Sequence, residues 1–339
     1  MPISRFAPIA CLLGLFLAND PAVNMSAFAG ERSEPKESAL LLSDHPLVDT
    51  IWNTSTSASI TKKALTEQLH ENDYVLLGEK HDNVRHHSVQ AELSASVMAH
   101  SSKPAALVFE MLEPAHQDIL DQADSFSLAE LGKKVEWEKR GWPSWASYQP
   151  IFESGLKAGS PIFAGNPDRA TIMDVGRGGK LPESDLVDLR WDQDYGDGQR
   201  ESLLTELVDS HCGMMGRESM GPLVTLQRLK DAYMGRAIRR AGNERPVVLI
   251  AGNGHVRKDR GVPFFLDGDK KTVSVAIIEV ARDQLEASSY SAFDPKLYDY
   301  VWFTPRVDEI DPCDKFREQL ERMKQKMKTK SGTKDHGKS

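Results

Sequence analysis

Cysteine is scarce in this chain, with only Cys11, Cys212 and Cys313. That excludes a disulfide-dense scaffold and any four-thiol zinc or iron–sulfur centre. A basic surplus is also missing: the formal net charge is -8, so nothing global favours nucleic acid. Beyond the N-terminus no apolar run is long enough to cross a bilayer as a helix. There is no internal repeat and no Gly-x-Gly-x-x-Gly. Gly176-Arg-Gly178-Gly179 follows no strand pattern and reads as a turn, not a phosphate cradle.

What is present begins with an export signal. Residues 1–29 carry Arg5 at the charged end, an apolar run from Phe6 to Ala18, and Ala27-Phe28-Ala29 before Gly30, which suits signal peptidase. A periplasmic location is therefore expected. Cys11 raises lipid attachment as an alternative, but it sits inside the apolar run instead of closing it, so soluble export is favoured. Residues 30–45 read as a flexible leader, 46–312 as the globular domain, and 313–339 as a C-terminal helix fraying into a basic, disordered tail. In an oxidising compartment Cys212 and Cys313 are expected to form a disulfide.

Within the domain, apolar runs alternate with helix-length amphipathic segments. A small hairpin is expected from Leu47–Trp52 and Ser59–Ile60, followed by a helix capped by Thr61. The remaining predicted strands are Tyr74–Gly78, Ala105–Glu110, Pro161–Gly165, Val247–Gly252, Val273–Glu279 and Asp299–Phe303. Predicted helices are Val84–Ala99, Pro114–Ala123, Trp145–Lys157 and Leu223–Arg239, and 177–220 reads as a mostly helical insertion. The fold class is α/β: a mainly parallel central sheet with helices on both faces.

Ligands of such sheets bind beyond the carboxyl ends of the strands. Here the strand exits read Gly78-Glu79-Lys80-His81, Phe109-Glu110-Met111, Gly165-Asn166 and Gly252-Asn253-Gly254-His255-Val-Arg257, each delivering polar groups where the apolar run stops. The glycines are expected to let the chain turn without a Cβ clash. Two Gly-x-x-His turns with carboxylates suggest one divalent metal (Mn, Zn or Co) held by His81, His255 and Glu110 or Glu79, with a spare carboxylate as base. The blander alternative is that His81 caps a helix start and Glu110 pairs with Arg169 or Arg257. Adjacent helix positions point about 100 degrees apart, so only one of His86 and His87 is expected to face the crevice, with His86 preferred. Gln227, Asp231 and Met234 share a helix face, read first as packing.

The chain resembles the ChaN haem-binding family of the wider Tiki, TraB and erythromycin-esterase superfamily. The resemblance rests on Leu77-Gly-Glu-Lys-His-Asp-Asn with His86-His87 and Gln90, Phe109-Glu110-Met111, and Trp142-Pro-Ser-Trp-Ala-Ser-Tyr148. Asn166, Gln227 to Met234, Ala251-Gly-Asn-Gly-His-Val-Arg257 and Trp302-Phe-Thr-Pro complete it. It implies haem binding at a homodimer interface, haem-iron uptake, and supply from an outer-membrane haem receptor. It also implies a tyrosine ligand to iron, with Tyr148 as first candidate and Tyr233 as second, and His86, His87, Met234 and Arg257 as further cofactor-binding candidates. The wider superfamily implies a metal-dependent hydrolase instead, with Glu79, His81, Glu110 and His255 as catalytic residues. Family members are often lipid-anchored, a feature this N-terminus does not match.

Overall fold

Tyr74–Glu79 is buried at every position, so it must be a strand covered on both faces. In the computed structural model it is the fifth of eight strands in one sheet. The structure describes residues 40–311 other than 215 and 244, together with 313, 314, 317, 318 and 321. The expected signal segment 1–29 and most of the expected leader 30–45 lie outside the described residues, as does most of 313–339.

In chain order the elements are β1 (Ile51–Asn53), β2 (Ala58–Ile60), α1 (Lys62–His70), β3 (Tyr74–Glu79), α2 (Val84–His100) and β4 (Ala106–Phe109). Then come α3 (Gln117–Leu120), α4 (Leu128–Lys134), α5 (Trp145–Lys157), β5 (Ile162–Ala164), α6 (Arg169–Gly176), α7 (Glu183–Asp188) and α8 (Asp197–Ser210). The last are α9 (Gly221–Ala241), β6 (Val247–Gly252), β7 (Thr272–Glu279) and β8 (Tyr300–Thr304). The sheet order is β2-β1-β8-β7-β3-β6-β4-β5. From β8 to β5 all neighbours are parallel, and β1 and β2 add an antiparallel hairpin at one edge. The expected α/β architecture is therefore the one found.

Strand alternation sorts the core into two layers. Val75, Leu77, Val248 and Ile250 face Leu65, Val89, Leu93, Tyr148 and Phe152 of α1, α2 and α5. Leu76, Val108, Leu249 and Ala251 face Met234, Ala237 and Ile238 of α9. α6 precedes the insertion, which supplies α7 and α8, and Ile172, Val175, Leu203 and Leu207 pack with residues of α9 or its first turn. Thr61 caps α1 by accepting from the Ala64 amide, as expected.

Two expected elements differ. Pro114–Ala123 is not one helix but a 3-10 turn, the short α3 and a second 3-10 turn. Gln117 explains the break: its amide donates to Ile162 O and accepts from Ala164 N, both at 3.0 Å, which ties α3 to the free edge of β5. Leu47–Asp49 is turn rather than strand, with Asp49 at φ 59, so β1 begins later than its apolar pattern.

Cys212, in the turn after α8, is bonded to Cys313 with a Cα separation of 5.5 Å. The unreduced protein should show no reactive thiol from either residue. Converting both to Ser should lower the urea unfolding free energy by about 2–4 kcal/mol through the larger unfolded-state loop. Two titratable thiols in native, unreduced protein would contradict the bond.

Candidate functional site

β3 and β6 are direct neighbours in parallel register, Glu79 opposite Gly252, so the two Gly-x-x-His turns leave the sheet side by side. Their glycines serve close approach, not a left-handed backbone. A Cβ on Gly78 would lie 2.2 Å from Asn253 Oδ1 and 2.8 Å from Val256 Cγ2, and one on Gly252 would lie 3.1 Å from His81 Nε2. The two turns interlock, and a side chain at either glycine would push them apart.

Glu79, at the end of β3, is the first anchor. Its Oε1 accepts from the Tyr148 hydroxyl and from His81 Nδ1, each at 2.6 Å. Its Oε2 lies 3.2 Å from His87 Nε2, close enough for strong attraction although the angle does not make a hydrogen bond. The His87 ring in turn packs on Tyr148, with centroids 3.9 Å apart. Trp142 covers the outer edge of His81 in a T-shaped contact at 5.1 Å.

Glu110, just past β4, is the second anchor. Its Oε2 accepts from the Gly252 amide at 2.9 Å and stands 3.7 Å from His81 Nε2. Its Oε1 stands 3.2 Å from His255 Nε2 and 3.6 Å from Lys230 Nζ. On the far side of His255, Nδ1 donates to Asp231 at 2.6 Å. Lys230 and Asp231 both come from α9, one helical turn from Gln227.

Burial alone would neutralise these groups, but their mutual attraction outweighs it. Desolvation pushes Glu110 up, yet His255 and His81 hold it well below the usual carboxylate range. Glu79 behaves alike, desolvation being overcome by His87 and His81. Desolvation would strip the proton from His255, yet Glu110 and Asp231 raise its pKa to about 10. His81 is also raised against desolvation, mainly by Glu110 and Glu79. Asp231 is pushed up by burial, with the His255 cation opposing. Between these two partners the proton belongs on His255, because a second carboxylate, Glu110, faces its other nitrogen. The arrangement holds a buried imidazolium, His255, between the carboxylates of Asp231 and Glu110.

The candidates named from sequence separate clearly. His81, Glu79, Glu110 and His255 converge. The preference for His86 is overturned: its Nδ1 accepts from the Lys80 amide at 2.8 Å and its Nε2 donates to Thr304 Oγ1 at 2.8 Å, so it is a neutral structural residue. Burial holds its pKa well below the ordinary value. His87 is the one that reaches Glu79. Glu110 is instead partnered by His255, His81 and Lys230, and Arg257 is bound to Asp259 and Glu206. The metal expectation for His81, Glu110 and His255 finds no support, since no group of three or more His, Cys, Asp or Glu among the described residues is arranged to hold an ion. The imidazole nitrogens face carboxylates instead of a common centre.

Neither tyrosine candidate is presented to a ligand. Tyr148 is fully buried with its hydroxyl on Glu79, and Tyr233 is buried at 6% exposure beneath Arg236. All seven tyrosines of the chain are buried. Met234 lies in the core layer behind β4 and β6. Lys230 and Asp231 were missed as site residues; the sequence signals for them were the polar spacing on the α9 face and their place in the family-like stretch Gln227 to Met234.

The cluster should make stability depend on pH in two directions. Glu79 and Glu110 have depressed pKa values, so their contribution is present above the ordinary value of 4.5 and lost as pH falls below it. His255 is raised from 6.5 to about 10, so its contribution is complete below 6.5 and lost as pH climbs to about 10. Urea unfolding across a pH series should therefore weaken on both sides of this window, and His255→Asn should flatten the alkaline side selectively. An alkaline decline unchanged in that variant would contradict the assignment.

A family model described as haem-binding uptake, Tiki superfamily, ChaN, matches residues 65–266. Among curated proteins no sequence match was found. A structure titled as cofacial haem binding to ChaN of Campylobacter jejuni is similar at 24% identity, with TM-score 0.61, covering 74% of this chain and 95% of that one. The type III effector HopBA1 aligns over 77% of this chain and 99% of its own at 12% identity, with TM-score 0.36. The structural likeness to the Campylobacter protein shows a shared fold, and the family match spans more than half of the sequence, including every residue of the two anchors. This chain belongs to the ChaN family of haem-binding uptake proteins in the Tiki superfamily.

Proposed function

We propose that this protein is exported to the periplasm and binds haem for haem-iron uptake, with His81 as the protein ligand to iron. The family match over 65–266 carries the haem assignment. The signal-like residues 1–29 support export. With every tyrosine buried, an accessible imidazole is the axial ligand this reading favours, and among the described histidines only His70, His81 and His100 escape burial. His81 is the one with the chemistry of a metal ligand. Its Nδ1 proton is held by Glu79, which fixes the tautomer and raises the basicity of Nε2, and Nε2 makes no hydrogen bond to Glu110 at 3.7 Å. Its side chain keeps 15% exposure beside the half-buried Trp142, an aromatic surface suited to a porphyrin.

When bound, the haem supplies a flat apolar body and an iron that takes an axial ligand; it is the cargo. The chain's own residues orient the imidazole through Glu79 and keep Glu79 ionised through His87 and Tyr148. A second copy of this chain covers the open haem face in this reading, and an outer-membrane haem receptor is the upstream partner.

Titrating hemin into the mature protein should give a saturable Soret shift. His81→Ala, and less severely Glu79→Gln, should weaken it by roughly 10–100-fold, while His70→Ala and His100→Ala should not. No saturable shift in wild type at stoichiometric concentration would refute haem binding. Full binding by His81→Ala would refute the ligand.

A further inference from the structure

A cavity of about 710 Å³ opens at the other end of the sheet, where β5 and β6 begin. Leu120 and Ile162 in its floor are buried, and Leu156 and Phe163 extend the apolar wall. Its size is in the range of about 300–1,000 Å³ typical of small-molecule sites. Two polar groups in the lining are underused. Ser160 is 6% exposed, and its hydroxyl has no hydrogen-bond partner among the described residues. Arg245, half-buried, makes a single long bond of 3.4 Å to Pro104 O and no ion pair among the described residues. The other rim charges are more exposed or already engaged: Arg240 with Asp188 at 2.7 Å, and Asp121 with Gln117 at 2.8 Å.

We propose that this slot binds an amphiphilic monocarboxylate, with the carboxylate on Arg245 and the Ser160 hydroxyl and the apolar body against Leu120, Leu156, Ile162 and Phe163. A guanidinium and a hydroxyl present several donors to a carboxylate. A half-buried cation with no counterion among the described residues also gains more from an anion than a solvated one does. An added peptide strand is not the occupant, because the Gln117 side chain already takes Ile162 O and Ala164 N at the β5 edge. The site is separate from the strand-end cluster and does not rest on the haem assignment.

The test uses the mature, unreduced protein and dansyl-aminoundecanoic acid as a fluorescent probe. Saturable binding is expected, with dodecanoic acid displacing the probe at least ~10-fold more effectively than its methyl ester, as a charge-assisted bond to Arg245 requires. Arg245→Gln should weaken probe binding by a similar factor, with Ser160→Ala giving a smaller loss, and saturating hemin should leave the wild-type curve unchanged. If Arg245→Gln fails to fold, the acid-against-ester comparison on the native protein decides. Equal displacement by acid and ester, no saturable binding, or displacement by hemin would each overturn the proposal.

Discussion

The buried carboxylate of Glu110 is the constraint on which the strand-end architecture depends. It stands at the end of β4, accepts from the backbone of β6 at Gly252, and faces imidazoles from both Gly-x-x-His turns and an ammonium from α9. Three strands and one helix thus meet on a single charge. A carboxylate at 1% exposure is tolerable only because these partners replace its hydration. Removing one partner of such a buried set costs about 3–5 kcal/mol, because the remaining charges stay buried. The interlocked glycines are a consequence: Gly78 and Gly252 let the two turns approach closely enough for both imidazoles to reach Glu110.

Glu79 is the counterpart on the other face. Its partners come from the His81 turn, from the first turn of α2 and from α5, so it links the layer of α2 and α5 to the layer of α9 that Glu110 engages. His81 is shared by both carboxylates and is the one member of the cluster with appreciable access to solvent. A rigid acidic frame around one accessible imidazole is a sound support for a metal-centred cargo. The same frame explains why tyrosine is a poor candidate here: the Tyr148 hydroxyl is consumed in holding Glu79.

Much of this was legible in the sequence because strands covered on both faces need continuous apolar runs, and their ends are marked by the first polar residue. Tyr74–Glu79 and Val247–Gly252 illustrate this, and the pairing of their histidines followed once parallel neighbours were assumed. Strand order was not legible. The choice between His86 and His87 turns on β7 and β8 lying on one side of β3 and β6 on the other, which aims His86 at Thr304 and His87 at Glu79. Periodicity alone carries no such information. Asp231 looked like packing because three- and four-residue spacing with Gln227 and Met234 also describes an ordinary amphipathic face, and its role appears only when His255 is placed opposite. The broken helix around Gln117 was hidden for a similar reason, since its cause is an edge strand about 45 residues away.

The central claim is that an ionised Glu110 and a protonated His255 form the buried core of this cluster. The most direct measurement is the 15N chemical shifts of the His255 imidazole in selectively labelled protein across pH. Both nitrogens should read as protonated at neutral pH, with loss of the proton near pH 10, and Glu110→Gln should bring that loss to lower pH. A neutral His255 ring at pH 7, with one unprotonated nitrogen, would contradict the account.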